Sequence, residues 1–187
     1  MFYMNKIQKL TMTALMAALC YVAFTFIQIK IPTPAGFTSF HLGNVFCVLA
    51  ALLLDGPTGG LAGAIGMAIG DVMDPVYVIV APKTIILKYA MGFIAGHMAH
   101  KVFHIEDKKG KELTKYVTLS VGVAMLANII LEPLFSYFYY NIILSNSDKA
   151  LSYLTLAKWL TTTVNSVLTL IITTPLYLFL SKTIIKK

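Results

Sequence analysis

The chain contains no arginine and only eight acidic residues, against fifteen lysines in 187 positions. Charged side chains make up 12% of it, where a soluble domain carries about 25%. So little charge cannot cover the surface of a fold in water, which excludes a cytosolic enzyme and a disordered tail. The formal charge of +7 does not indicate nucleic acid. Arginine, the usual bidentate reader of phosphate and guanine, is missing, and the lysines gather at the chain ends and in one loop. Cys20 and Cys47, the two cysteines, both lie in apolar runs; they exclude a disulfide framework and read as buried fillers. Gly-x-Ser-x-Gly, His-Glu-x-x-His, Cys-x-x-Cys and Walker sequences are absent. No enzymatic activity, metal or covalently bound cofactor is expected, and ATP is used, if at all, by another protein.

What the chain has instead is apolar length. Hydrophobic residues are 58% of it and the mean hydropathy is +0.77. A spanning helix needs about 20 apolar residues. The runs predict an all-α integral membrane protein, a single domain over residues 1–187. Its six helices fall at about 8–29, 42–55, 58–73, 80–101, 115–144 and 152–182. The second and third are short and flank Asp55-Gly56-Pro57-Thr58 as a tight hairpin, and Pro82 breaks the fourth near its start. Lys6 and Lys9 precede the first run as in a signal peptide, but its length and the lack of a small-x-small cleavage site make it a retained helix.

Lysine placement sets orientation. Lys6 and Lys9, then Lys101, Lys108, Lys109, Lys111 and Lys115, then Lys182, Lys186 and Lys187 fall on one side for an even number of spans; Lys30 and Lys149 lie opposite. Both termini are therefore expected in the cytoplasm.

Polar residues within spans are costly and so point to function. On the fifth helix Asn128, Glu132, Ser136 and Tyr139 or Tyr140 follow helical spacing on one face; on the sixth, Lys158, Thr162, Asn165, Thr169 and Thr173 do the same. On the fourth, Thr84 and Lys88 share a face, while Lys83 and Lys88, about 140° apart, are not expected to point the same way. His41 and Asn44 open the second helix, and Asp71 and Asp74 close the third. By the lysine topology these groups converge from five helices at middle to outer depth, above a largely apolar inner half. That is a blind cavity open to the outside, suited to a small polar ligand. The competing reading is a set of buried polar pairs fixing helix register.

The stretch Lys30–Leu42 reads as a long external loop, stiffened by proline, with Phe37 and Phe40 as apolar contacts; it is either a lid over the cavity or an interfacial loop. Gly59/Gly63 and Gly66/Gly70 are small-x-x-x-small pairs read as packing within the chain, and Ala14/Ala18 is one available to a partner subunit. His97, His100 and His104, with no carboxylate or cysteine set beside them, read as a wet interfacial face. An acidic-motif phosphatidyl-alcohol transferase is excluded because the topology puts Asp55 and Asp71 on opposite sides of the membrane.

The run from Phe40-His-Leu-Gly-Asn44-Val-Phe through Asp55-Gly-Pro-Thr-Gly-Gly60, then Gly70-Asp71 and Lys83 to Gly96, together with the helix-one Ala14-x-x-x-Ala18 motif, resembles the riboflavin-type branch of the substrate-binding (S) components of energy-coupling factor (ECF) transporters. The resemblance covers nearly all of the chain. It implies a subunit of a bacterial cell membrane that captures a vitamin or precursor at the outer face. A membrane scaffold subunit and two cytoplasmic ATPases would complete the importer, with ATP used only by those partners. Ala14 and Ala18 would meet the scaffold, and the bundle would topple to release its load. The ligand-contacting positions it implies are Phe40, His41, Lys83, Lys88, Asn128, Glu132, Tyr139, Lys158, Trp159 and Asn165; the polar-face argument adds Asn44 and Asp71. Tyrosines and Trp159 would suit stacking on a flat ring, leaving riboflavin, pyridoxine-type vitamers and pyrimidine precursors open. The alternatives are an assembly subunit of another membrane complex, or a small ion-coupled carrier with Glu132 and Asp71 as proton sites.

Single cysteines introduced in 101–115 are expected to react with a membrane-impermeant reagent only from the cytoplasmic side, and those in 30–42 only from outside. The opposite pattern would overturn the lysine argument.

Overall fold

The computed structural model describes residues 5–33, 36–144 and 148–184. Pro34 and Ala35 at the tip of the first long connection, the Lys149 side chain, and Lys186 and Lys187 lie outside the described residues. Six helices and one β-hairpin follow in order: α1 Lys6–Thr25, β1 Gln28–Thr33, β2 Gly36–His41, α2 Gly43–Leu53, α3 Gly56–Met73, α4 Ala81–His97, α5 Gly110–Leu144 and α6 Asp148–Ile184. Short 3-10 turns precede α4 (Val78–Val80) and α5 (Ile105–Asp107), and a π-helical turn, Met98–Val102, extends α4.

Local chemistry explains most of the boundaries. Asn5 caps α1 in a reciprocal box with Gln8: the Gln8 N–H donates to Asn5 Oδ1 at 2.8 Å and the Asn5 N–H to Gln8 Oε1 at 3.0 Å. Asp55 caps α3 by accepting from the Thr58 N–H at 2.8 Å, with Pro57 in the first turn. Pro75 follows the C-cap Asp74 and stops α3. Pro82 sits in the first turn of α4, where its missing N–H is harmless, so it starts this helix rather than breaking it.

The first helix ends four residues earlier than its apolar run suggests. From Gln28 the chain is extended, and β1 pairs antiparallel with β2 from Gln28–His41 to Thr33–Gly36. The expected irregular loop is thus largely a hairpin. Its tip is held by the Thr33 hydroxyl donating to the Gly36 carbonyl at 2.8 Å, and Gly36 adopts φ +144°, a value open to glycine.

α4 with its flanking turns (Val78–Val102), α1, α5 and α6 are each long and apolar enough to cross a membrane. Their outward side chains, such as Leu126, Ile130, Leu160 and Ile171, are exposed, as a lipid-facing surface requires. α2 has 11 residues, about 16 Å of helix, and is buried almost end to end. The chain is a multi-pass membrane protein with α2 at its centre.

α3 packs against α1, α2 and α4 by backbone contact. A Cβ at Gly59 would lie 2.3 Å from Ala51 Cα on α2; one at Gly63, 2.2 Å from Cys47 Sγ; one at Gly66, 2.2 Å from the Ala17 carbonyl on α1. Toward α4 the glycines are mutual, a Cβ at Gly92 falling 2.6 Å from Gly60 Cα and one at Gly96 2.3 Å from the Gly56 nitrogen. Close approach of this kind is how helices gain dispersion energy in lipid, where no hydrophobic force drives them together. Ion pairs mark both ends of α1 and α3: Lys9 with Asp55 at one, and Lys30 with Asp74 at 2.5 Å at the hairpin end.

Gly59→Ala is expected to lower the thermal stability of the protein in detergent by roughly 1–3 kcal/mol through overpacking. Gly122→Ala, whose Cβ meets nothing within 4 Å, is expected to leave it unchanged or raise it. Equal effects at both positions would refute the close-packing account.

Candidate functional site

At the hairpin end, side chains from α1, β2, α2, α3, α4, α5 and α6 line a small cavity of about 60 Å³. Its centre is an ion cluster across three helices. Lys83 Nζ of α4 donates to Glu132 Oε1 at 2.6 Å and to Ser136 Oγ at 2.9 Å on α5. Ser136 Oγ in turn donates to the same Glu132 oxygen at 3.2 Å. Lys158 of α6 lies 3.7 Å from Glu132 Oε1 and 5.6 Å over the Tyr140 ring. One carboxylate is thus shared by two ammonium groups, so that each buried charge has a partner while the cluster keeps a net positive charge.

The hairpin roofs this cluster and is tied to α6. Asn165 Oδ1 accepts the His41 N–H at 3.1 Å, and its Nδ2 donates to the Ser39 carbonyl at 3.0 Å. The Thr38 and Thr161 hydroxyls bond at 2.7 Å, and Tyr77 donates to the Thr38 carbonyl at 3.3 Å. The His41 ring stands edge-on to Phe24, centroids 4.8 Å apart. Its burial, with the positive charge of Lys88 next in importance, pushes the imidazole pKa down to about 3, so it is neutral at physiological pH. Deeper in, the Thr169 and Thr173 hydroxyls donate to the Asn165 and Val45 carbonyls at 2.7 and 3.4 Å. Helix backbone satisfies them and they extend no polar path inward.

Three buried polar atoms around the cavity have no hydrogen-bond partner among the described residues: His41 Nδ1, Asn44 Oδ1 and Asp71 Oδ2. Such groups are uncommon in folded proteins and are sites that a water, an ion or a ligand can satisfy; Thr25, Gln28 and Thr174 carry others away from the cavity. Asn128 is only loosely held, its Nδ2 3.5 Å from Ser166 Oγ.

Of the sequence-derived candidates, the structure brings together His41, Asn44 and Asp71 with Lys83 and Lys88 of α4, Asn128 and Glu132 of α5, and Lys158 and Asn165 of α6. Phe40, Tyr139 and Trp159 do not line the cavity. Trp159 is 47% exposed on the outward face, because the residue after Lys158 is rotated about 100° from it. Tyr139 donates to the Ile79 carbonyl at 2.7 Å, and Tyr140 is the tyrosine buried beside Lys158. Lys83 and Lys88 are both buried, 3% and 7% exposed, and both line the cavity, against the expectation from their angular separation. α4 is packed by α2, α3 and α5, so most of its circumference faces protein, and four-carbon stems carry both ammonium groups to one space.

Sequence reasoning missed Phe24, Tyr77 and Thr38, which line the cavity from α1, the α3–α4 connection and β2. Only the hairpin, hidden inside an apolar run, would have revealed Thr38. The histidines beyond α4 also differ from expectation: His100 does have a carboxylate beside it, Glu106 at 3.4 Å, and its other nitrogen lies 3.0 Å from the Ala51 carbonyl.

A family model described as "ECF-type riboflavin transporter, S component" matches residues 4–182. No curated protein matches the sequence significantly. With nearly the whole length matched, the chain belongs to the S-component family of ECF-type riboflavin transporters.

Proposed function

We propose that this chain is the substrate-capture subunit of an ATP-driven ECF importer, holding a small water-soluble vitamin or vitamin precursor in the cavity beneath the hairpin. The observation that carries this is the convergence, at one level, of three lysines, two carboxylates and three asparagines around a cavity whose buried polar atoms are incompletely partnered. An assembly subunit needs its polar groups paired with one another; His41, Asn44 and Asp71 each leave an atom unpaired. Membership of the S-component family supports the same reading.

The topology proposed is six crossings with both termini cytoplasmic, α2 and α3 forming a short re-crossing pair inside the bundle. The lysine distribution supports it. So do the end-to-end pairs Lys9–Asp55 and Lys30–Asp74, which make α1 and α3 parallel as an out–in–out sequence requires. The cavity then opens to the outside. A scaffold subunit and two ATPases supply the energy, and α1 offers the surface for the scaffold. Met16, Cys20, Ala23 and Phe24 are buried within the bundle, whereas Ala14 and Ala18 are exposed on the other face.

Melting the purified chain in detergent against riboflavin, pyridoxine and pyrimidine precursors tests capture. A ligand at a hundred times its Kd adds about 2.7 kcal/mol, a rise on the order of 5–10 °C for a protein of this size. An assembly subunit would show no ligand-dependent rise.

Replacing Ala14 and Ala18 together with tryptophan is expected to abolish uptake by the assembled transporter while leaving binding by the isolated subunit intact, since both side chains point away from the bundle. Persistent uptake would remove α1 as the partner face.

A further inference from the structure

Three ammonium groups enter the cavity, and Glu132 is shared by only two of them. Lys88 is 7% exposed and, among the described residues, its ammonium makes no hydrogen bond or ion pair. Asp71 lines the same cavity but does not pair with it within 4 Å, and Asp71 Oδ2 is itself without a partner. His41 contributes a neutral ring. The cavity therefore holds an ammonium without an ion-pair partner together with free acceptors, Asp71 Oδ2 and Asn44 Oδ1. A buried cation left unpaired in a membrane bundle is costly and is retained where a counter-charge arrives with the ligand. The main hydrophobic residues of the lining are Phe24, Tyr77 and Val80, and Trp159 faces elsewhere.

Resting on the reading of this cavity as the vitamin site, we infer that the ligand is an organic acid, whose carboxylate or phosphate meets Lys88 and whose hydroxyl or amide hydrogens meet Asn44 and Asp71. This is a different class from the neutral flavin in the family's description. The complementarity is twofold. Lys88 supplies a donor and a positive charge, while the free acceptors reward a molecule that also carries donors. A cationic ligand would add a fourth positive charge to a site that already has one in surplus.

The test uses matched probes on the full chain in detergent: nicotinate with nicotinamide, pantothenate with panthenol, and flavin mononucleotide with riboflavin. The first two pairs differ in a carboxylate and the third in a phosphate. The acid of at least one pair is expected to raise the melting temperature and to bind at least ten-fold more tightly than its neutral partner, and the pair that responds identifies carboxylate or phosphate. Lys88→Met is expected to erase that preference without lowering the melting temperature of the ligand-free protein, because it removes an uncompensated charge. Glu132→Gln, which strips the counter-ion from two lysines, is expected to lower it. Lys88→Gln serves where the methionine variant does not fold, and it too must lose the preference. A neutral vitamin binding the wild type more tightly than every acid overturns the inference and leaves vitamin capture standing. So does an acid preference that survives the Lys88 variants, or a ligand-free Lys88→Met melting as low as Glu132→Gln. Silence from these six probes and from the vitamin panel overturns both readings.

Discussion

The structure depends on how closely α3 meets its three neighbours. In hydrocarbon, helices gain nothing from hiding apolar side chains from one another, and association rests on contact distance and polar satisfaction. Glycines on successive faces of α3 supply the first: Gly59 and Gly63 against α2, Gly66 and Gly70 against α1, Gly56 and Gly60 against α4. α2, too short to span by itself, is thereby enclosed, and from Val45 to Leu54 it is apolar and buried. This packed column is the floor of the cavity. Its apolar surface keeps the buried lysines and carboxylates of the cavity at the hairpin end.

Polar satisfaction governs the other half. Glu132 binds Lys83 directly and Lys158 at longer range, joining α4, α5 and α6. Asn165 and Thr161 join α6 to β2. The two networks are separate, one between helices and one between a helix and the roof. Lys88, Asn44 and Asp71 belong to neither, which is why the groups left free are the ones facing the cavity. A fully paired network would give rigidity alone; a partly paired one gives a place for a ligand.

Much of this was legible in the sequence because lipid simplifies the reading. Long apolar runs placed the four long helices, and the expense of intramembrane charge selected Lys83, Lys88, Glu132 and Lys158, which the structure gathers. What failed was finer geometry. Trp159 comes from the resemblance and not from a helix face, and as the residue after Lys158 it is turned about 100° away from the cavity. Tyr139 fits an ideal 3.6-residue face from Asn128, but the inward stripe runs through Glu132, Ser136 and Tyr140 in steps of four, winding around α5 as it crosses its neighbours and selecting the next tyrosine. The hairpin was hidden because Ile27, Ile29 and Ile31 continue the hydrophobicity of α1, and alternation with Gln28 and Lys30 is too short to stand out beside a 20-residue helix.

The helices divide between them the packing of the bundle and the lining of the cavity. α1 is held along one face only, with Met16, Cys20, Ala23 and Phe24 inward, and its opposite face is lined by small residues at Ala14 and Ala18. Phe24 lines the cavity and touches His41, so one end of α1 belongs to the site while its middle belongs to the surface. The backbone contact of Ala17 with Gly66 fixes α1 to α3 between these two regions. Through that contact α1 and α3 together set Phe24 and Asp71 on the cavity wall. Glu132 joins α4, α5 and α6 on the far side, and the mutual glycine contacts of α3 with α4 close the two sets of helices around the cavity.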